Sequence, residues 1–154
     1  AALYGLGYTR EYEGRRSLAA MGSTLNAFLA AMVLVVLARN VLTFLMLWEA
    51  MSLVSYFLVM TESDLEDTQR AGWVYLVMAH AGFASLLMGF LWMEHATGTS
   101  DLSEWSVFST ALDPTSRNIG FVLLSLGFGA KAGVIPLHIW LPRAHPAAPS
   151  HISA

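Results

Sequence analysis

Cysteine is absent from this 154-residue sequence. Without thiols there is no disulfide framework, no thiolate-held iron–sulfur cluster and no cysteine-type zinc site, so no cofactor is expected here and any electron transfer belongs to another subunit. Charge is scarce too. Asp, Glu, Lys and Arg make up 12% of the residues, about half the share of an ordinary soluble domain. The basic residues form no patch, which leaves no footprint for nucleic acid, and the net charge of −3 says little about partners. A leading methionine is missing, as is a charged-then-apolar start of the signal-peptide kind. The sequence stops at Ser153-Ala154 without a terminating signal, so both ends are expected to be cut.

What the sequence has in quantity is apolar: 56% of residues are hydrophobic and the mean hydropathy is +0.56. The charges cluster between long clean runs, the pattern of spanning helices and not of helices lying on a surface. From Ser17 to Thr61 the chain is almost wholly apolar, about twice the length one bilayer crossing needs. Arg39-Asn40 is therefore expected to be a tight turn between spans at 18–38 and 41–60, and Gly22, Ser23 and Asn26 in the first suit helix–helix contact. A solvated acidic loop, 62–70, leads to a third span at 71–93. Trp73 and Trp92 bracket it, separated by about 28 Å of helix, close to the hydrocarbon thickness. Residues 94–117 are polar, yet Leu102, Trp105, Phe108 and Leu112 recur near a helical period, which suggests a segment along the membrane surface. In 1–17, Tyr4, Tyr8 and Tyr12 make an interfacial stripe beside Arg10, Arg15 and Arg16.

The fourth span starts near Asn118 and places Lys131 deep in an apolar run with Gly127, Gly129, Gly133 and Pro136 around it. An ammonium near the bilayer centre costs about 2.5–3.5 kcal/mol on insertion scales, so it normally faces a partner or a hydrated cavity. Pro136 removes a backbone donor, and Gly129 and Gly133 admit a close backbone or water, which predicts a broken helix beside a titratable group. The glycines superficially match a nucleotide loop, but no strand precedes them. The expected fold is all-α: a polytopic membrane fragment of about four transmembrane helices plus the start of a fifth, the fourth broken near Lys131–Pro136.

Glu49 sits alone in the middle of the second span. It is either a protonated carboxyl bonded to a neighbour such as Ser52 or part of an ion pathway. With Lys131 it makes one acid and one base near mid-span, which suggests a pair. His80, the ionisable group of the third span, is either a helix-to-helix hydrogen-bonding group or a relay. His138, His145 and His151 have spacings of seven and six with prolines between, matching no standard metal pattern, so no metal is expected.

The stretch Leu47-Trp-Glu-Ala-Met-Ser-Leu-Val-Ser-Tyr56, and the run from Gly127 to Ala154 containing His138-x-Trp-Leu-Pro-x-Ala-His-x-x-Ala-Pro149, resemble the proton-conducting antiporter-like membrane subunits. That family is shared by respiratory complex I, multisubunit sodium/proton antiporters and membrane-bound group 4 hydrogenases. Tyr75-Leu-Val-Met-Ala-His80, Pro146-Ala-Ala-Pro-Ser150 and Arg143, where complex I relatives often carry an acid, look most like the hydrogenase branch and the large membrane subunit of formate hydrogenlyase. The resemblance implies that Glu49 and Lys131 correspond to the family's half-channel glutamate and lysine. It also implies that the four spans are helices four to seven, with Pro149 onward starting helix eight. Residues 1–154 would be part of the first inverted repeat.

The function implied is proton translocation by a non-redox membrane subunit of an oxidoreductase complex, with other membrane subunits as partners and His80 and His138 as relays. The alternative is a sodium/proton antiporter subunit without electron transfer. A passive anchor gains nothing from two mid-membrane charges. Arg10, Arg15, Arg16, Arg70 and Arg143 share one side against Arg39 and Arg117 on the other. The positive-inside rule then makes loops 1–17 and 62–70 cytoplasmic in a cell (inner) membrane.

Overall fold

A computed structural model describes residues 17–108, 110 and 112–148. The tyrosine stripe of 1–16 and the expected helix start from Pro149, with His151, lie outside them. Among the described residues, four stretches are long and apolar enough to cross a membrane: Leu18–Leu37, Val41–Glu62, Glu66–Thr97 and Pro114–Ala147.

Each helix begins and ends where its sequence provides a reason. Helix α1 (Leu18–Leu37) is capped by Ser17, whose hydroxyl accepts from the Ala20 N–H. The turn at Ala38-Arg39-Asn40 reverses the chain, and the Asn40 side chain accepts from the Thr43 N–H to start α2 (Val41–Val59). A 3₁₀ turn, Met60–Glu62, ends that span. Helix α3 (Glu66–Thr97) runs to 32 residues, about 48 Å at helical rise. It overshoots the expected 71–93 at both ends because Glu66, Asp67 and Arg70 at one end, and Glu94 and His95 at the other, are polar residues that stay helical outside the apolar layer. Gly98, at φ 74°, closes it in the left-handed conformation. After the short α4 (Trp105–Phe108), α5 (Pro114–Ala132) opens on an Asp113 cap with proline in its first turn, where a missing N–H costs nothing.

The predicted break is present, and of the three residues expected to make it, Gly133 carries the positive φ. Its φ of 70° ends α5 three residues before Pro136. The N–H groups of Gly133 and Val134 both turn back to the Gly129 carbonyl. Gly129 thus contributes a carbonyl any residue could supply, and a Cβ there would meet only ordinary contacts. A 3₁₀ turn (Leu137–Trp140) and α6 (Leu141–Ala147) complete the broken span.

Helix α3 is the central element, in contact with α2, α5 and α6. Its crossing with α5 depends on two glycines, since a Cβ on Gly127 would sit 2.8 Å from the Gly82 carbonyl oxygen. The core has two parts. Val41, Leu45, Leu86 and Phe90 form one, with Phe44, Trp48, Leu102 and Trp105 packed on it. Val59, Tyr75 and Ala144 form the other, joined by Tyr56 and Trp140. Leu102 and Trp105 therefore turn inward onto the bundle, which corrects the membrane-surface expectation for that stretch. The large side chains left uncovered, such as Val36 at 83% and Phe121 at 71% exposure, fit a lipid-facing exterior.

Two further expectations are corrected in α1. Ser23 donates to the Ala20 carbonyl and Asn26 to the Gly22 carbonyl, both in their own helix. A Cβ on Gly22 would meet open space.

The two ends of the bundle sort the arginines as the span count requires. At one end, Val41 N–H donates to Ser100 O and Leu102 N–H to Arg39 O, with Arg39 and Asp101 3.7 Å apart. At the other, Arg70 and Arg143 line one cavity with Glu62 and Asp67.

Candidate functional site

Along α2 the sequence changes from apolar at 41–48 to polar at Glu49, Ser52 and Ser55, then back to apolar at 56–59. These polar positions lie between the two core clusters. Opposite them stand Tyr75 and His80 of α3 and Lys131 in the last turn of α5. A helix C-terminus favours a cation, since the final carbonyls carry partial negative charge.

The polar layer resolves into two groups. In the first, His80 Nε2 lies 3.1 Å from Glu49 Oε1. Its other ring nitrogen, Nδ1, is 2.9 Å from the Leu76 carbonyl oxygen. A carbonyl only accepts, so Nδ1 carries hydrogen. One further proton then bridges the pair, held either on Nε2 as an imidazolium facing a carboxylate or on Oε1 as a carboxylic acid facing neutral imidazole. The second carboxylate oxygen, Glu49 Oε2, is buried and has no hydrogen-bond partner among the described residues.

The second group surrounds Lys131. Its Nζ is 3.2 Å from Ser52 Oγ and 2.9 Å from the Tyr75 hydroxyl, and 5.3 Å from the centre of the Tyr75 ring. Ser52 in turn donates to the Trp48 carbonyl at 3.0 Å, and Ser55 donates to the Ser52 carbonyl at 2.8 Å. Tyr75 and Ser55 are hydrogen-bonded through their hydroxyls. The tyrosine ring is fixed edge-on to Trp140, whose indole N–H donates to the Ala130 carbonyl at 2.8 Å. Lys131 also borders a cavity of about 330 Å³ that Ser55, Met51, Leu141 and His145 help to line.

The structure thus brings Glu49 together with His80, and it does not place Lys131 in an ion pair with Glu49, whose Ser52 neighbour bonds Trp48 and Lys131 instead. Ser52 follows Glu49 by three residues, a rise of about 4.5 Å, so the two groups are one helical turn apart. His138 stands in the 3₁₀ turn with its Nδ1 buried and without a hydrogen-bond partner among the described residues. It is not among the hydrogen-bond or ion-pair partners of either group. Tyr75, Ser52 and Ser55 are the residues the sequence reading passed over as site members. A signal existed for Ser52, because a serine one turn from an intramembrane acid lies on the same helix face.

Comparison with known proteins follows the same lines. The family described as "NADH:quinone oxidoreductase/Mrp antiporter, TM" matches residues 38–154. Hydrogenase-4 component B of Escherichia coli (strain K12) is 46% identical over 153 residues, 99% of this chain and 22% of that protein. NADH-quinone oxidoreductase subunit N of Deinococcus radiodurans is 32% identical over 145 residues, 92% of this chain and 29% of that protein. Among solved structures, a chain of the archaeal membrane-bound sulfane sulfur reductase superimposes with a TM-score of 0.83 at 21% identity, covering 91% of this chain and 28% of that one. That last likeness speaks to fold alone. The chain spans less than a third of the length of each of these relatives.

Proposed function

We propose, from the premise that this chain belongs to the NADH:quinone oxidoreductase/Mrp antiporter transmembrane family, that it moves protons across the membrane as a subunit of a redox-driven complex. The complex is of the hydrogenase or NADH-quinone oxidoreductase kind, in keeping with the relatives on both sides. Residues 1–154 form part of the first of two inverted repeats, and the chain works beside other membrane subunits. The observation that carries the reading is the polar layer at mid-span: a Glu49–His80 pair one turn from a lysine whose partners, among the described residues, are the Ser52 and Tyr75 hydroxyls and the Tyr75 ring.

Such a layer suits proton transfer in two steps. Glu49 and His80 store one proton between them, and Lys131 picks up and releases another at the end of a broken helix. Intramembrane charges are retained where they are used, because each is expensive to insert. Gly133 frees the α5 terminus from the packing of a continuous helix, and Pro136 keeps the chain from resuming it. His138, with an unpartnered buried nitrogen, is the relay between this layer and the next part of the path. The Arg70 and Arg143 end, with loops 1–17 and 62–70, is cytoplasmic in the cell (inner) membrane by the arginine bias.

The test is proton translocation by the whole complex in sealed vesicles. Lys131→Met is expected to abolish it with assembly intact. Lys131→Arg is the sharper variant, since a guanidinium stays charged and cannot cycle its proton. Wild-type translocation in Lys131→Arg would end the reading. Translocation that persists without the redox substrate and depends on sodium would instead place the chain in an antiporter without electron transfer.

A further inference from the structure

At the end of the bundle opposite the Arg39 turn, a cavity of about 670 Å³ opens between the start of α3 and the half of the broken span that follows Gly133. Its volume is that of a ligand site. Glu62, Asp67, Arg70 and Arg143 line it, two charges of each sign, beside apolar groups that include Leu65 and Pro146. Among the described residues, Glu62, Asp67 and Arg143 have no ion pair, and Arg70 holds Glu66 of its own helix, which does not line the cavity. That pair is weak and readily exchanged, because its side chains are 74% and 77% exposed.

The depth of the cavity in the membrane says what can reach it. Trp73 stands 66% exposed on α3, about one turn inward from Arg70, and an exposed tryptophan near the end of a span belongs to the interfacial belt. From Trp73 back to Glu66 the helix rises about 10 Å, and that stretch carries Glu66, Asp67 and Arg70. The cavity therefore lies level with lipid headgroups. Two guanidinium and two carboxylate groups leave it without net charge, so an anionic headgroup drawn to the arginines is opposed by Glu62 and Asp67, and a simple cation meets the reverse. A headgroup with both a phosphate and a primary ammonium answers both signs. Guanidinium forks match phosphate oxygens, and an ammonium brings three hydrogens to the carboxylates. A trimethylated choline keeps the charge but has no N–H to give.

We propose that this cavity binds the headgroup of a zwitterionic phospholipid with a primary amine, its phosphate on Arg70 and Arg143 and its ammonium on Glu62 and Asp67. The inference needs only that the helices span a membrane, and it stands apart from the proton-transfer reading. Arg143 belongs to α6, beyond the Gly133 break, whereas Asp67 and Arg70 belong to α3. One bound lipid thus ties the outer half of the broken span to the central helix.

The experiment is native mass spectrometry of the whole complex in detergent, titrated separately with dioleoyl phosphatidylethanolamine, phosphatidylcholine and phosphatidylglycerol. The difference between wild type and variant reads this site, since lipid held elsewhere on the complex is common to both. Arg143→Gln should weaken phosphatidylethanolamine binding here by about fivefold, the scale of one ion pair at a wet surface. Glu62→Gln combined with Asp67→Asn should reverse the preference, lowering phosphatidylethanolamine binding and raising phosphatidylglycerol binding above wild type. Damage to the fold cannot produce that gain, so the reversal remains a test even where Arg143→Gln disturbs assembly. Phosphatidylcholine should respond less to both variants, and an equal response overturns the amine assignment. Unchanged phosphatidylethanolamine binding in Arg143→Gln, or the wild-type preference kept in the double variant, overturns the proposal. A cryo-EM map of the complex in phosphatidylethanolamine nanodiscs should show a headgroup between Arg70 and Arg143, and side chains of another subunit filling that space would refute the lipid.

Discussion

Substituting Gly127 by alanine tests the close crossing on which the site depends. The added Cβ would lie 2.5 Å from Leu86 Cγ and 2.8 Å from the Gly82 carbonyl oxygen. Leu86 is wholly buried, and a backbone oxygen cannot yield without moving α3. Inserting a methyl group into such a contact costs about 1–3 kcal/mol. Alanine also raises helix propensity over glycine by about 1 kcal/mol, which would blur the result. Gly22→Ala in α1 supplies the control, because a Cβ there meets nothing within 4 Å. The propensity gain is common to the two variants, and their difference isolates the steric term. Titrating SDS into the full-length protein in mixed micelles, with tryptophan fluorescence as readout, should place Gly127→Ala about 1–3 kcal/mol below Gly22→Ala. Two variants agreeing within about 0.5 kcal/mol would refute the close α3–α5 approach.

Two predictions concern the ends of the bundle. Single cysteines at Ser63 and Ser103 in intact cells should differ, with Ser103 labelled by an impermeant reagent and Ser63 protected; labelling of both would refute the proposed sidedness. At the Arg39 end, the Ser103 hydroxyl holds the Asp101 carboxyl below its usual range, helped by the Ser103 N–H and the Arg39 charge. A depressed carboxylate contributes stability that is present above the unfolded value of about 3.9 and is lost as pH falls through the folded value. Nicking of the 98–108 loop by an acid-active protease should therefore rise as pH drops below about 4, and begin at higher pH in Ser103→Ala. Identical profiles would show that Ser103 does not hold the carboxylate.

Much of the fold was legible because its signals are local. Arg39-Asn40 between two apolar runs could only be a turn, whereas the fourth span, expected from about Asn118, starts four residues earlier at Pro114 behind its Asp113 cap. The family likeness carried by the Leu47–Tyr56 stretch and the His138–Pro149 pattern agrees with the match over residues 38–154. Where local reasoning failed, a tertiary contact decided. Ser23 and Asn26 have the composition of a helix interface, but they lie on the side of α1 turned away from the other described helices. Leu102 and Trp105 have an amphipathic period, yet the Asn40–Asp101 bridge and the Leu102 bond to Arg39 pull their loop across the bundle end. The break, by contrast, was expected from Gly129, Gly133 and Pro136 together, and the positive φ falls on Gly133.

The site divides along the same line. Glu49, His80 and Lys131 were legible as isolated ionisable groups in apolar helices, because the cost of burying charge makes each conspicuous by itself. Their pairing was not. Charge alone favours Glu49 with Lys131, but helix geometry sets which face meets which: α2 presents Glu49 toward His80 of α3 and, one turn on, Ser52 toward Lys131 of α5. Hydroxyl partners for a lysine have no charge signature, and tyrosine is common in transmembrane helices, so only the fold could select Tyr75 from its peers, while Ser52 could be suspected from its place one turn from Glu49. Ser52 is 3% exposed with its hydroxyl fully engaged. A buried polar group satisfied by an ionisable side chain from a helix 79 residues away is a tertiary fact, and in this layer such facts decide which partners the lysine has.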